Sequence, residues 1–320
     1  MISLENISSI SIFGFVANWS PYFFLFTVLL TVFYFLITKK WYRNFEGGRP
    51  LRVKEGTVFV TSMVLLYGMY GAPVDILSHI LFSFHMLQMA VVFLLIAPLL
   101  FYAVPEYVWK AFVNLPVVKQ VFMITRKPLV TLILFNGVFS IYHLPVVLDF
   151  LKQSGALHSA FNALLFLLAI LMFYPVFNKV EPREKHMGGL FKMLYVFGIG
   201  ALLTPACGLI IFAGTPLYET YTDGDAWLSA MELCVPSGVL DGLRGQGLIS
   251  GPEYFTDTTP VMDQQTGGII MKVLQEVFFG FMLGFIFFRW FKEERMDEEE
   301  TTRRSVENAR IQKELFNQYR

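Results

Sequence analysis

Seven apolar stretches, each edged by proline or charge, follow one another along the chain. They run roughly Ser20 to Thr38, Thr57 to Ala72, His79 to Ala103, Pro128 to Val147, Leu157 to Phe177, Leu190 to Gly214 and Gly267 to Trp290. Each is close to the ~20 residues an α-helix needs to cross the hydrocarbon core of a bilayer. The runs are continuous rather than alternating, so they predict helices, whose backbone is satisfied within the segment, and not the strands of a barrel. The expected architecture is all-α: a polytopic membrane helix bundle with seven transmembrane helices. Residues 1–19 form an N-terminal segment, 20–290 the membrane domain with its long connection 215–266, and 291–320 a charged tail.

Composition strengthens this reading. Hydrophobic residues make up 55% of the 320 and charged residues 16%, with a mean hydropathy of +0.55, which excludes an ordinary soluble domain. The zero net charge conceals segregation. Lys39, Lys40, Arg43, Arg49, Arg52 and Lys54 lie between the first two spans, Lys110, Lys119, Arg126 and Lys127 between the third and fourth, and Lys179, Arg183 and Lys185 between the fifth and sixth. The segment from Thr215 to Thr266 reads oppositely, with Glu219, Asp223, Asp225, Glu232, Asp241, Glu253, Asp257 and Asp263 against Arg244 alone. The positive-inside rule then puts the N-terminus outside and the C-terminus inside. Trp19, Tyr22, Trp41, Tyr42 and Trp290 sit at span edges, as interfacial aromatic belts do.

The first nineteen residues lack a basic n-region and do not read as a cleaved signal peptide; the first helix is the expected insertion signal. Cys207 and Cys234 have neither CxxC nor zinc spacing and read as unrelated. In the acidic segment Trp227, Met231 and Cys234 predict a short amphipathic helix lying over the bundle. Gly280 and Gly284 form a GxxxG that admits a close helix, either within the bundle or in a homo-oligomer. Charges at i, i+4 in the tail predict a solvated helix or a partly disordered arm.

Once the spans are oriented, polar and soft-donor residues gather at one end. His79 lies at the outer mouth of the third span, with His85 about a turn and a half deeper. His85, Gln88 and Met89 share a face at i, i+3 and i+4, while Met86 lies on the face that carries His79. His143 ends the fourth span, His158 begins the fifth with Asn162 one turn on, and the seventh opens with Asp263, Gln264, Gln265, Gly267, Gly268 and then Met271. Imidazole and thioether suit copper, Cu(I) in particular, whereas Mg or Ca would want more oxygen donors. His85, His143 and His158 are the candidate ligands, with Met86 and Met89 assisting. Asp263, Gln264 and Gln265 are candidate acceptors for the free ring nitrogens, and Gly267 and Gly268 let the backbone pass close beneath. Plainer roles exist for each: His79 as an interfacial anchor, His143 and His158 as hydrogen-bonded caps, Met86 and Met271 as packing. Lys272 and Glu276, at i and i+4, read as a self-neutralising pair or as proton-handling groups.

The runs FSFHMLQMAVVFLLIAPL from Phe82, LFNGVFSIYHLP around His143, LHSAFN around His158 and DQQTGGIIM from Asp263 resemble the multi-span CtaG family of cytochrome c oxidase assembly factors of Bacillus and its relatives. The resemblance runs from NWSPYFF at Asn18 to the seventh helix. It implies a multi-pass protein of the bacterial plasma membrane that matures a haem-copper oxidase by handling copper on the outer face, and no enzymatic activity. The family's HMxQ element falls on His85, Met86 and Gln88, its later histidines on His143 and His158, and its DQQxGG element on Asp263 through Gly268. Where many members carry further histidines this chain has Met89 and Asn162, which implies a leaner site with transient Cu(I). The implied partners are oxidase subunits or another copper chaperone, in the lipid bilayer and without nucleic acid. Two other functions fit the same residues: a metal-free chaperone that holds an oxidase subunit, and a haem-binding redox protein with His85 and His143 as axial ligands. HExxH, P-loop and nucleophile-elbow motifs are absent from the sequence.

Overall fold

Proline opens helix after helix in this chain, because the first helical position needs no N–H and favours the φ that the ring fixes. The computed structural model describes residues 10–182, 185–247 and 249–318, and these form helices joined by turns and loops, with no strand among them. The first nine residues of the N-terminal segment and Arg183 of the third basic connection lie outside the described residues.

Helix α1 (Pro21–Phe35) continues as a π-helical turn to Lys40. It is followed by α2 (Val53–Tyr70), α3 (Pro73–Ile80) and α4 (Phe82–Ala103). Two short helices, α5 (Glu106–Val113) and α6 (Pro116–Thr125), lead into α7 (Pro128–Tyr142), and α8 (Pro145–Lys152) leads into α9 (Gly155–Phe177). Helix α10 (Gly189–Ile211), the short α11 (Gly224–Met231) and α12 (Ser237–Gly245), and the long α13 (Pro260–Gln318) complete the chain. Among the described residues five helical segments are individually long and apolar enough to cross a membrane, or up to seven if the bent pairs α2–α3 and α6–α7 each count as one span. At 1.5 Å per residue the 59 residues of α13 extend roughly 90 Å. Its charged end is a helix, laced by Arg289–Glu293, Arg295–Glu299 and Arg304–Glu300 at i, i+4.

The third and fourth spans differ from expectation. Instead of one helix from His79, the chain breaks at Leu81, which is extended at φ −123°, ψ 129°. The amides freed by the break are not wasted: Phe82 N and Ser83 N donate to the Asp263 carboxylate of α13 at 2.6 and 3.3 Å. His79 therefore ends a separate helix and shares no helical face with Met86. The fourth helix stops at Tyr142 rather than Val147, with His143 as its C-cap and Pro145 starting α8, because proline both prevents the turn from continuing and favours a new start.

Of the individually long spans, α4 is the most buried. Helix α13 packs on its first half, α2 and α9 on its second, while α7 and α10 close the bundle through α9 and α13. Gly267 and Gly268 serve the close approach foreseen for them: a β-carbon at Gly267 would lie 2.8 Å from Phe82 Cδ1, and one at Gly268 2.7 Å from Ile211 Cγ1. Gly280 and Gly284 do not serve packing within the bundle, since a β-carbon at either would meet nothing within 4 Å. The basic connections gather at one end, where Arg49 pairs with Glu55, Arg126 with Glu181, and Lys179 bonds the carbonyls of Tyr102 and Val104. At the other end the acidic segment folds over the bundle, with Trp227 and Met231 of α11 fully buried, the packing expected of an amphipathic cover.

Candidate functional site

Beneath that acidic cover four imidazoles meet. His79 comes from the end of α3, His85 from the first turn of α4, His143 from the cap of α7 and His158 from the first turn of α9; none is more than 9% exposed. They form two pairs. The ring centroids of His85 and His143 are 6.1 Å apart, and those of His79 and His158 are 5.7 Å apart. Tyr142 stands between the pairs, 5.9 Å from His85 and 6.3 Å from His158.

Each ring keeps one buried nitrogen without a partner: His79 Nδ1, His85 Nε2, His143 Nε2 and His158 Nδ1. An unsatisfied buried polar atom costs about 1–3 kcal/mol, so four in one place call for something that supplies the missing partner. For His143 the tautomer follows from its other contact. Nδ1 lies 2.8 Å from the Phe139 carbonyl, which can only accept, so Nδ1 carries the proton and Nε2 presents a lone pair. Asn162 Nδ2, one helical turn away, donates to His158 Nε2 at 3.0 Å, which leaves the proton of that ring on the unpartnered Nδ1.

The three imidazoles expected to share one metal do not form a triad, because His158 sits against His79 and reaches His85 only across Tyr142. Among the described residues, moreover, no group of three His, Cys, Asp or Glu side chains has the arrangement of a metal cage. Met86 and Met89 are fully buried, Met86 against Gly267, and Met271 is buried on α13. The expected acceptors for ring nitrogens are committed to other groups. Asp263 caps α4; Gln264 accepts from Leu217 N and donates to Ile210 O; Gln265 donates to Ala213 O; Gln88 donates to Asp75 Oδ1 and Met69 O. Helix ends and loop backbone inside an apolar surround have first claim on such groups, having no water to turn to.

Sequence reasoning missed Asp75, Lys152, Tyr218 and Tyr221. Lys152 lies in the short connection between the fourth and fifth apolar runs, yet it is 0% exposed. Its ammonium donates to Tyr221 Oη at 2.6 Å and lies 4.1 Å from that ring's centroid; Tyr221 donates in turn to Ser78 O, and Tyr218 to the His143 carbonyl. Asp149 anchors the same loop by accepting from Glu219 N, Thr220 N and Thr220 Oγ1. A lysine three residues beyond an acid at the end of an apolar eight-residue helix was the available signal, but its burial depends on Tyr221, 69 residues away.

Burial holds the Lys152 ammonium down to about 7, with Cys234, Asp149 and Asp75 opposing the shift. The unfolded chain, where lysine has its ordinary pKa, binds the extra proton between pH 7 and about 10.4, so stability through Lys152 rises with pH across that window. Lys152→Met should remove up to about 1.4 kcal/mol per pH unit of that rise. Thermal midpoints of wild type and variant in detergent between pH 7 and 9 measure the difference; parallel curves would refute it.

Three comparisons bear on identity. Searches of curated proteins and of solved structures returned no match. The family model described as cytochrome c oxidase caa3 assembly factor (Caa3_CtaG) matches residues 32–293, which take in all four histidines of the site and every helix from the end of α1 to the interfacial part of α13. The chain therefore belongs to the family of cytochrome c oxidase caa3 assembly factors.

Proposed function

We propose that this assembly factor takes up Cu(I) among the four imidazoles and passes it to a nascent oxidase subunit, or receives it from another copper chaperone for that purpose. The observation that carries the proposal is the set of four buried rings, each with an unpartnered nitrogen, drawn from four helices to one end of the bundle. Two imidazoles that flank a metal at bonds of about 2 Å have ring centroids about 6 Å apart; the His85–His143 pair has that separation and a lone pair on His143 Nε2, which makes it the better of the two pairs. Two nitrogens suffice for Cu(I), which accepts low coordination, and a thioether such as Met89, one turn from His85, would add a soft donor. A site of two donors holds its cargo loosely enough to give it up.

The charge segregation supports an extracytoplasmic position for this end at a bacterial plasma membrane, with the N-terminus outside and the C-terminus inside. The role is non-catalytic, copper being cargo. A metal-free chaperone is the second reading, favoured by the open Gly280–Gly284 face of α13 on which an oxidase helix or a second copy would rest. The haem reading is less favoured, since the rings of Phe139 and Tyr142 crowd His143 with centroids 4.2 and 5.0 Å from its own.

Anaerobic titration of the purified protein with Cu(I) against a chromophoric chelator tests the proposal. We expect His143→Ala to weaken binding at least tenfold; unchanged competition would count against the site.

A further inference from the structure

Helix α13 runs against α4 along Phe82–Ala90, then parts from it where α4 passes through the π-helical turn Val91–Ile96. A groove of about 1000 Å³ opens between them, closed behind by the end of α9 and the start of α10. That volume is at the upper end of ordinary small-molecule sites, about 300–1000 Å³. Its walls are apolar, with Leu95 and Leu99 on one side and Phe281 and Phe285 on the other. Phe281 and Phe285 are 77% and 65% exposed, so this wall turns toward lipid.

At the basic end of the bundle the lining changes character. Lys192 of α10 and Arg289 of α13 line the groove there, with Glu293 bonded to Arg289 at 2.9 Å, and the balance is one positive charge. Trp290 lies so close over Gly189 that a β-carbon there would have no room, which fixes the indole at the rim. A tryptophan in that position marks headgroup depth. Long basic side chains beside it reach the same level by laying their stems along apolar surface.

We infer that this groove is a binding site for one anionic phospholipid, its acyl chains along α4 and α13 and its phosphate between Lys192 and Arg289. Basic pockets between transmembrane helices are the usual seats of such headgroups. A partner helix fits the groove less well, because close helix approach wants small residues and this wall is built of phenylalanine. Gly280 and Gly284 open instead into an adjoining, shallower groove of about 500 Å³ on the other side of Phe281 and Phe285, which line both. The lipid would brace α4 against α13, the helices that carry His85 and its supporting cap Asp263 at the opposite end.

Native mass spectrometry of the detergent-purified protein with equimolar phosphatidylglycerol and phosphatidylethanolamine tests this. One phosphatidylglycerol should be retained in clear preference, and inorganic phosphate at millimolar concentration should not displace it. Lys192→Gln with Arg289→Gln should reduce its retention by roughly thirtyfold, at about 1 kcal/mol per basic residue. Lys39→Gln with Lys40→Gln, at the same end but away from the groove, should leave it unchanged. Equal retention of the two lipids by the wild type, displacement by free phosphate, or a co-purified peptide occupying the groove in place of lipid would overturn the assignment.

Discussion

A strain whose only copy of this factor carries His85→Ala and His143→Ala together is expected to lose caa3-type oxidase activity by more than tenfold while the factor itself accumulates normally. The two substitutions remove both rings of the 6.1 Å pair. They also remove two of the unpartnered polar atoms that the apolar surround does not reward. That relief offsets the lost His143 Nδ1 bond to Phe139 O and the space the two rings vacate, so abundance should change far less than delivery. A bland structural role for these histidines predicts the reverse, a less stable protein with oxidase activity falling in proportion to its abundance. Oxidase activity measured alongside factor abundance in the same membranes separates the two. The purified double variant should in addition compete for Cu(I) more than a hundredfold less well than wild type.

Asp263→Ala should be the most destabilising single change near the site. The carboxylate takes the two amides exposed by the break at Leu81, at 2.6 and 3.3 Å, and is itself buried. Removing it leaves both N–H groups without partners in an apolar surround, at a cost of about 3 kcal/mol or more, because charge-assisted bonds are the strong ones. Helix α4 would lose the anchor that sets its first turns, and with it the direction of His85. Asp263→Asn keeps one acceptor oxygen and should lose about half as much stability. Thermal unfolding in detergent gives the order wild type, Asn, Ala; an alanine variant as stable as wild type would show that the cap is dispensable.

How much of this was legible in the chain depends on the range of the interaction. The apolar runs locate the helical segments, five to seven of which among the described residues could cross a membrane, because span length and continuity are local properties, and the basic and acidic connections collect at opposite ends. The break at Leu81 was hidden, since what stabilises it is a carboxylate about 180 residues further on. Leu81 itself carries no signal of a break. For the same reason His79 reads as the mouth of α4 although it ends α3 and faces His158. The burial of Lys152 was hidden because the tyrosine that receives it lies in a distant loop. Asp263, Gln264 and Gln265 stand out as polar residues opening an apolar helix, and they do matter, but to backbone groups rather than to imidazoles. The pair Lys272–Glu276 closes at 2.5 Å as its i, i+4 spacing implies. Local spacing was enough there.

The most direct test of the central claim is X-ray absorption at the copper edge on protein loaded with one equivalent of Cu(I). Two imidazole nitrogens at about 2 Å, with the outer-shell scattering of rigid rings, are the expected result. A spectrum of buffer or chelator ligands, or one that is unchanged in the His85→Ala, His143→Ala variant, would contradict it.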